Sequence, residues 1–171
     1  MISFNNIGNL GRLANQMFQY ASLKGIARNR GYDFTIPPQE LFGQNDELVR
    51  NSPLNIYTVF ENISKNNIQV VRNPMLQERT HEFDEELFRS CPDNVDLFGY
   101  YQSPKYFEHI KDEIKNDFKF SDEVESICNE TTFFPLIDSY ISSHNDSTSF
   151  VNLKSFLISS LIWLKYFGDW K

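Results

Sequence analysis

"GNLGRLANQMFQYASLKGIARNRG", residues 8–31, decides how the first part of the chain is read. Gly8 and Gly11 break any regular pattern, and from Leu13 the apolar residues recur with a helical period. Leu13, Met17 and Ala21 share one face; Phe18, Ala21 and Gly25 mark an adjoining stripe. The small residues Ala21 and Gly25 would let this helix lie close to a sheet, and Gly31 fits a C-terminal stop. Upstream, residues 2–4 form a short apolar start that reads as a strand. Downstream, residues 32–36 alternate and contain Phe34, Thr35 and Ile36, a second strand ended by Pro37 and Pro38. Strand, loop, helix, strand is the outline of a βαβ unit and predicts an α/β fold.

Further along, residues 39–52 are polar and mixed, residues 56–63 are a short apolar patch, and residues 68–72 are β-like. Residues 82–87 are acidic, with Phe83, Leu87 and Phe88 at helical spacing; the acidity reads as a solvated face. "DLFGYY" (96–101) reads as a buried strand, and "SPKYFEHIKDEIKNDF" (103–118) as the helix after it. Ser103 stands where an N-cap would, Pro104 at the first helical position, and Tyr106, Phe107, Ile110 and Ile114 give an apolar stripe. A second strand-to-helix junction therefore carries Tyr100, Tyr101, Gln102 and Ser103 at its mouth. In open α/β sheets, ligands gather at such carboxyl ends of strands. After Asn129 the texture changes: "SSHNDSTS" (142–149) is Ser-rich, and residues 151–171 are apolar without clear partner elements.

A chain of 171 residues, 40% hydrophobic and 23% charged, can bury a sizeable core. Its sixteen phenylalanines and eight tyrosines either fill that core, the simpler reading, or line a pocket for a sugar or ring. The net charge of −7 excludes bulk attraction to nucleic acid or anionic membrane, so an anionic ligand would depend on local cations and backbone N–H groups. Cys91 and Cys128 have no metal-like spacing and read as buried, reduced thiols. The N-terminus lacks a basic region followed by an apolar run. The most apolar stretch, residues 156–164, is interrupted by Ser159 and Ser160 and falls short of the roughly 20 residues that span a bilayer.

Candidate chemistry begins in the glycine loop. Glycines allow close backbone approach, and the helix start beyond offers unpaired N–H groups that suit phosphate. The spacing is not G-x-G-x-x-G, since Ala14 follows three residues after Gly11, and no P-loop lysine is present. Spacing alone leaves a tight turn feeding a packed helix as the alternative. His81, His109 and His144 are too scattered for a metal pattern, and His109 reads as a surface or core-edge residue. Glu108, Asp112 and Glu113 read as solvated charges, and Lys105 follows the second strand mouth. No catalytic residue is named.

The wording around the loop adds to this. "GRLANQMFQYA" (11–21) resembles the G-x-L-G-N-Q-M-F-Q-Y-A signature of the α-1,2-fucosyltransferases of glycosyltransferase family 11, departing at Ala14. "LFGYYQSPKYF" (97–107) resembles the family's L-x-G-Y-F-Q-S-x-K-Y-F, and "FDEELF" (83–88) also looks like the family. The resemblance covers about residues 1–129, a little under half of a typical member. It implies a Rossmann-like, acceptor-side N-terminal half of a GT-B glycosyltransferase over residues 1–129. Residues 130–171 would be a divergent tail, the start of a truncated or frame-disrupted donor domain. The implied activity is inverting transfer of fucose from GDP-fucose to the 2-hydroxyl of a galactoside, with no metal or other cofactor required. Asn15 would face the donor phosphates or the fucose, with Gly11, Arg12 and Gln16 on the same wall. Tyr100, Tyr101, Gln102 and Ser103 would shape the cleft on the acceptor side. The implied partners are the nucleotide sugar and the acceptor, and no nucleic acid. The implied location is cytoplasmic, with room for peripheral association at the inner face of a membrane through a lipid-linked glycan.

Negative charge grows on the departing diphosphate in such a transfer, and without a metal it must be met by arginines and backbone amides. The family places an H-x-R-R-x-D element there. "YISSHNDSTSF" (140–150) is similar to its lead-in up to His144, but Asp146 and Ser147 then stand in place of the two arginines and Ser149 in place of the Asp. Each charge-assisted bond lost is worth about 1.5–3 kcal/mol, so the pair alone could lower the rate by orders of magnitude. A frame shift after His144, a fragment, or a half retained for another role would each produce this break. The rival to a transferase is accordingly a non-catalytic half that binds glycan or a partner.

Overall fold

The computed structural model describes residues 1–44, 47–50 and 54–129. The expectations for residues 130–171, including His144, Asp146, Ser147, Ser149 and the apolar stretch 156–164, lie outside the described residues, as does the thiol of Cys128. No helix of the described residues is long and apolar enough to cross a membrane.

The fold is α/β. Among the described residues four short strands, β1 (Ile2–Ser3), β2 (Phe34–Thr35), β3 (Met75–Gln77) and β4 (Asp96–Phe98), form one parallel sheet in the order β2-β1-β4-β3. Ile2 pairs with Phe34 and Ser3 with both Thr35 and Asp96, while Met75, Leu76 and Gln77 pair with Asp96, Leu97 and Phe98. The buried Asp96 carboxylate strengthens the central pairing, accepting from Ser3 Oγ at 2.9 Å and from the Asn5 N–H at 2.8 Å. A parallel, Rossmann-like arrangement agrees with the βαβ reading of residues 2–36.

Helix α1 (Leu13–Arg30) joins β1 to β2 and is the hub of the molecule. The periodicity suggests one buried stripe, but residues 16–27 are buried all round. The polar members of that run survive burial because each finds a partner. Gln19 Nε2 donates to the carbonyls of Leu10 and Gly99, both at 3.0 Å, and Ser22 Oγ donates to the Tyr101 carbonyl at 2.9 Å. The Tyr20 hydroxyl and Lys24 Nζ both donate to Asp117 Oδ2, at 2.7 and 2.5 Å. The helix ends at Gly31, where the Tyr32 N–H returns to the Ala27 carbonyl at 2.9 Å.

Between β2 and β3 lie α2 (Glu47–Arg50) and α3 (Ile56–Val59), the latter started by a capping box of Asn55 and Thr58. After β3 come α4 (Glu85–Ser90), then β4, α5 (Lys111–Asp117) and α6 (Asp122–Asn129). Most of the described aromatic rings fill the core. Tyr101 meets Phe4 and Tyr106 with centroids 5.6 Å apart in both pairs, and Phe118 meets Phe60 at 4.8 Å and Tyr20 at 5.6 Å. Cys91 is buried, and burial pushes its thiol up to about 11. His109 is exposed, with its ring 5.5 Å from that of Phe88.

Two expectations are corrected. Residues 68–72, read as β-like, are not a strand of the sheet. Ile68 makes one isolated bridge to Ile36, and the chain then crosses β1, where Asn5 Nδ2 holds the Val71 carbonyl at 2.8 Å and Asn73 Nδ2 reaches the Met1 carbonyl at 3.3 Å. The strand forms only at Met75, beside β4. Residues 103–118 are not one helix. Two 3-10 turns, Pro104–Tyr106 and Glu108–Ile110, precede α5, and the Ser103 side chain caps neither. The break places the Phe107 backbone against Gly25 of α1, a contact that a continuous helix stripe does not describe.

Candidate functional site at the mouth of the parallel sheet

Strand β1 leads through α1 to β2 on one side, while β4 lies on its other side. The carboxyl ends of the neighbouring strands β1 and β4 therefore lie side by side, the end of a parallel sheet where ligands gather. The glycine loop follows β1, and residues 99–103 follow β4. Gly11 has φ 87°, a conformation disfavoured for side-chain-bearing residues, and the Asn15 side chain folds over the space a Cβ would take. Arg12 is exposed at the N-cap of α1 and makes no capping bond through its side chain, and the first turn holds no acidic residue. The start of this long helix therefore keeps its positive end open.

Tyr101 also has a positive φ, 50°, although it carries a ring. Such a conformation costs about 1–3 kcal/mol and persists only where its surroundings fix it. Here they do. The Glu78 carboxylate accepts from the N–H groups of Tyr100 and Tyr101 at 2.7 and 2.9 Å, and the Tyr101 carbonyl accepts from Ser22 Oγ and the Ser103 N–H, both at 2.9 Å. The turn buries the Tyr101 ring and leaves Gln102 exposed. Gln102 Nε2 then donates to Asn15 Oδ1 at 2.6 Å. The two motifs singled out in the sequence thus meet at the mouth, as they do deeper in through Gln19 with Gly99 and Phe18 with Phe107.

The remaining sequence-predicted residues take other places. Gln16 is fully buried, its Oε1 accepting from the Ile56 N–H at 3.2 Å while its Nε2 has no partner. The Tyr101 hydroxyl donates to the Leu76 carbonyl at 3.3 Å, and burial followed by the Glu78 charge raises its ionisation far above the ordinary range. Tyr100 and Ser103 are half-buried at the mouth. Sequence reasoning missed Glu78, and nothing in its neighbourhood signals a carboxylate that turns back onto a backbone twenty-odd residues away.

Beside Gln102 lies a groove of about 460 Å³. One wall is the corner at His81, Glu82, Phe83 and Glu85; the other is Ser103 and Lys105. Lys105 Nζ sits 5.7 Å from the centre of the Phe83 ring. Asp84 holds the corner in shape. It caps α4 by accepting from the Leu87 N–H at 2.9 Å, receives Arg79 Nε and Nη2 at 2.8 and 2.9 Å, and its own N–H donates to the Tyr106 hydroxyl at 2.9 Å. Burial pushes the Tyr106 phenol up to about 12. Burial works to raise the Asp84 carboxyl, but the Leu87 N–H and the Arg79 guanidinium outweigh it and hold it below its ordinary value. A depressed folded-state value means stability that is present above the ordinary carboxyl range and lost as pH falls through the folded value. Asp84→Asn should therefore flatten the acid limb of stability against pH, and Asp84→Ala should cost about 1 kcal/mol at neutral pH through the lost cap. Urea unfolding between pH 7 and 3 reads both effects.

The chain is distantly similar to fucosyltransferases. It is 29% identical over 119 residues to galactoside alpha-(1,2)-fucosyltransferase 2 of Hylobates lar, a match that takes in 69% of this chain and 32% of the relative. The chain thus spans about a third of the length of that curated relative. No family model matches, and no solved structure matches.

Proposed function

We propose that the chain is the acceptor-side, Rossmann-like half of a GT-B α-1,2-fucosyltransferase, working on GDP-fucose and a galactoside. The observation that carries this reading is the Asn15–Gln102 contact, which joins both resembling motifs at the end where a parallel sheet takes its ligands. In the transfer, the galactoside 2-hydroxyl oxygen bonds to the anomeric carbon of fucose from the face opposite GDP. The carbon–oxygen bond to the diphosphate breaks, GDP leaves with the electron pair, and the hydroxyl proton passes to a base. Gly11, Arg12 and Asn15 form the donor-side wall in this reading, with Gln16 beneath them as a buried support. Tyr100, Gln102 and Ser103 form the acceptor-side wall, and Tyr101 anchors it from the core. The exposed Arg12 and the open start of α1 suit the charge that develops on the diphosphate. The same reading carries a cytoplasmic location, with the acceptor presented on a lipid-linked glycan at the inner face of a membrane.

Incubating the full chain with GDP-fucose and lactose, followed by mass spectrometry, tests the proposal. Fucosylated product is expected, and Asn15→Ala should slow its formation about 10²-fold, the usual effect of removing one preorganised polar contact. A second reading is favoured by Asp146 and Ser147, which stand where the family has arginines. It predicts saccharide binding with no product at any enzyme concentration.

A further inference from the structure

We propose that Glu78 is a positioning residue, which sets the Asn15–Gln102 contact from behind, through the backbone of residues 99–101. The positioning role stands on geometry alone; that the contact belongs to a sugar-transferring site rests on the transferase reading.

A 2.6 Å bond between two side chains at an open mouth needs both ends held, because each side chain gives up rotamers to make it. Asn9 holds the glycine-loop end. Its Nδ2 donates to the Leu41 carbonyl at 2.9 Å and its Oδ1 accepts from the Gln44 N–H at 2.8 Å, while the Gly43 N–H donates to the Gly8 carbonyl at 2.8 Å. The loop is thus fastened to the segment after β2 just before α1 begins.

Glu78 does the same for the Gln102 end. It stands one residue beyond β3, where its own N–H carries the ladder on to the Phe98 carbonyl at 2.8 Å. Each carboxylate oxygen then takes one amide, Oε2 from Tyr100 at 2.7 Å and Oε1 from Tyr101 at 2.9 Å. Gly99 makes room for this, since a Cβ there would lie 2.4 Å from Glu78 Cβ and 2.6 Å from Oε2. The neighbouring Arg79 pairs with Asp84 and Glu86 instead. Successive N–H groups converge on one anion only where the backbone leaves the extended form, and the φ of 50° at Tyr101 is that departure. The carboxylate and the strained turn are therefore one arrangement. It sends the Tyr101 ring inward, against Phe4 and Tyr106, and the next side chain, Gln102, outward to Asn15. Without the carboxylate the strain at Tyr101 loses its main support, and Gln102 loses its aim.

The test is a double-mutant cycle in the full chain, read by NMR on the side-chain amide of Asn15. The variants are Glu78→Gln, which turns an NH2 toward one of the two N–H groups, Gln102→Ala, and both together. Glu78→Gln is expected to shift the Asn15 resonances in the same direction as Gln102→Ala, and the double variant to add nothing, with the amides of α5 unchanged. Additive shifts, or an unmoved Asn15 in folded Glu78→Gln, would overturn the inference. If Glu78→Gln does not fold, Glu78→Asp replaces it, its shorter arm reaching one amide at most; failure of both to fold makes Glu78 a residue of the fold alone and also overturns the inference. Turnover of GDP-fucose with lactose separates the two readings. A kcat/KM about 10²-fold lower in Glu78→Gln, and no lower in the double variant than in Gln102→Ala, supports both, while an unchanged kcat/KM overturns the positioning role. A silent parent chain with coupled Asn15 shifts keeps the positioning role and removes the transferase reading.

Discussion

Lys24→Met destabilises the chain by about 3–5 kcal/mol, the expected cost of removing one partner from a buried ion pair. Lys24 is 5% exposed and Asp117 6%, so water replaces neither. The ammonium lies 2.5 Å from Asp117 Oδ2 and 3.4 Å from Glu113, tying the middle of α1 to α5. Without it, the Asp117 carboxylate keeps the Tyr20 hydroxyl as its hydrogen-bond donor in the pocket. Tyr20 cannot compensate by sharing its proton, because burial, reinforced by the Asp117 charge, raises its ionisation far above the ordinary range. Replacing the set together, as Tyr20→Phe/Lys24→Met/Asp117→Leu, recovers most of the loss, since apolar groups of similar volume carry no desolvation cost. Equilibrium urea unfolding measures both variants. A single variant that loses less than about 1 kcal/mol would mean that the pair behaves as a surface one.

Gly25→Ala lowers stability by about 1–3 kcal/mol, and Gly25→Val by more. A Cβ at position 25 would lie 2.0 Å from the Tyr106 carbonyl oxygen and 2.9 Å from Phe107 Cα. These are backbone atoms, which cannot swing aside as a side chain can. Alanine gains about 1 kcal/mol of helix propensity over glycine, and the clash outweighs it. The same substitution reaches the groove, because the displaced turn carries Ser103 and Lys105. Thermal melting reads the stability, and amide chemical shifts of Ser103 and Lys105 read the displacement. An alanine variant as stable as the parent would show that α1 and the turn are not in contact.

The first three elements were legible because their signals are local. Gly8 and Gly11 before an apolar-periodic run, Gly31 after it, and two prolines after a short β-branched segment leave few alternatives. Residues 68–72 read as β-like because they carry apolar β-formers, while the third strand forms at Met75–Gln77, where β4 offers a partner about twenty residues later. Ile68 and Val70 remain 36% and 51% exposed, and the stretch pairs only through the single bridge of Ile68 to Ile36 just past β2. Ser103 and Pro104 do start a helical turn, but it does not run on as one helix to residue 118. Ser-Pro is a sound helix start, but packing of the Phe107 backbone on Gly25 interrupts the turn first. At the site, resemblance pointed to Asn15 and Gln102 separately. Their meeting required the parallel order β1 beside β4, which no single stretch encodes. Gln16 and Tyr101 looked like mouth residues from their positions in the motifs; the all-round burial of α1 and the positive φ of Tyr101 turned both inward.

Glu78 divides the mouth of the sheet into two unequal banks. Its carboxylate occupies the amide hydrogens of Tyr100 and Tyr101 at the end of β4, so those two donors are not offered to another anion. In the proposed reading, a phosphorylated donor would be repelled from that bank and drawn toward Arg12, while an uncharged sugar would meet no such barrier. If the proposed transferase reading holds, one carboxylate would sort the two reactants to opposite shores before either is gripped.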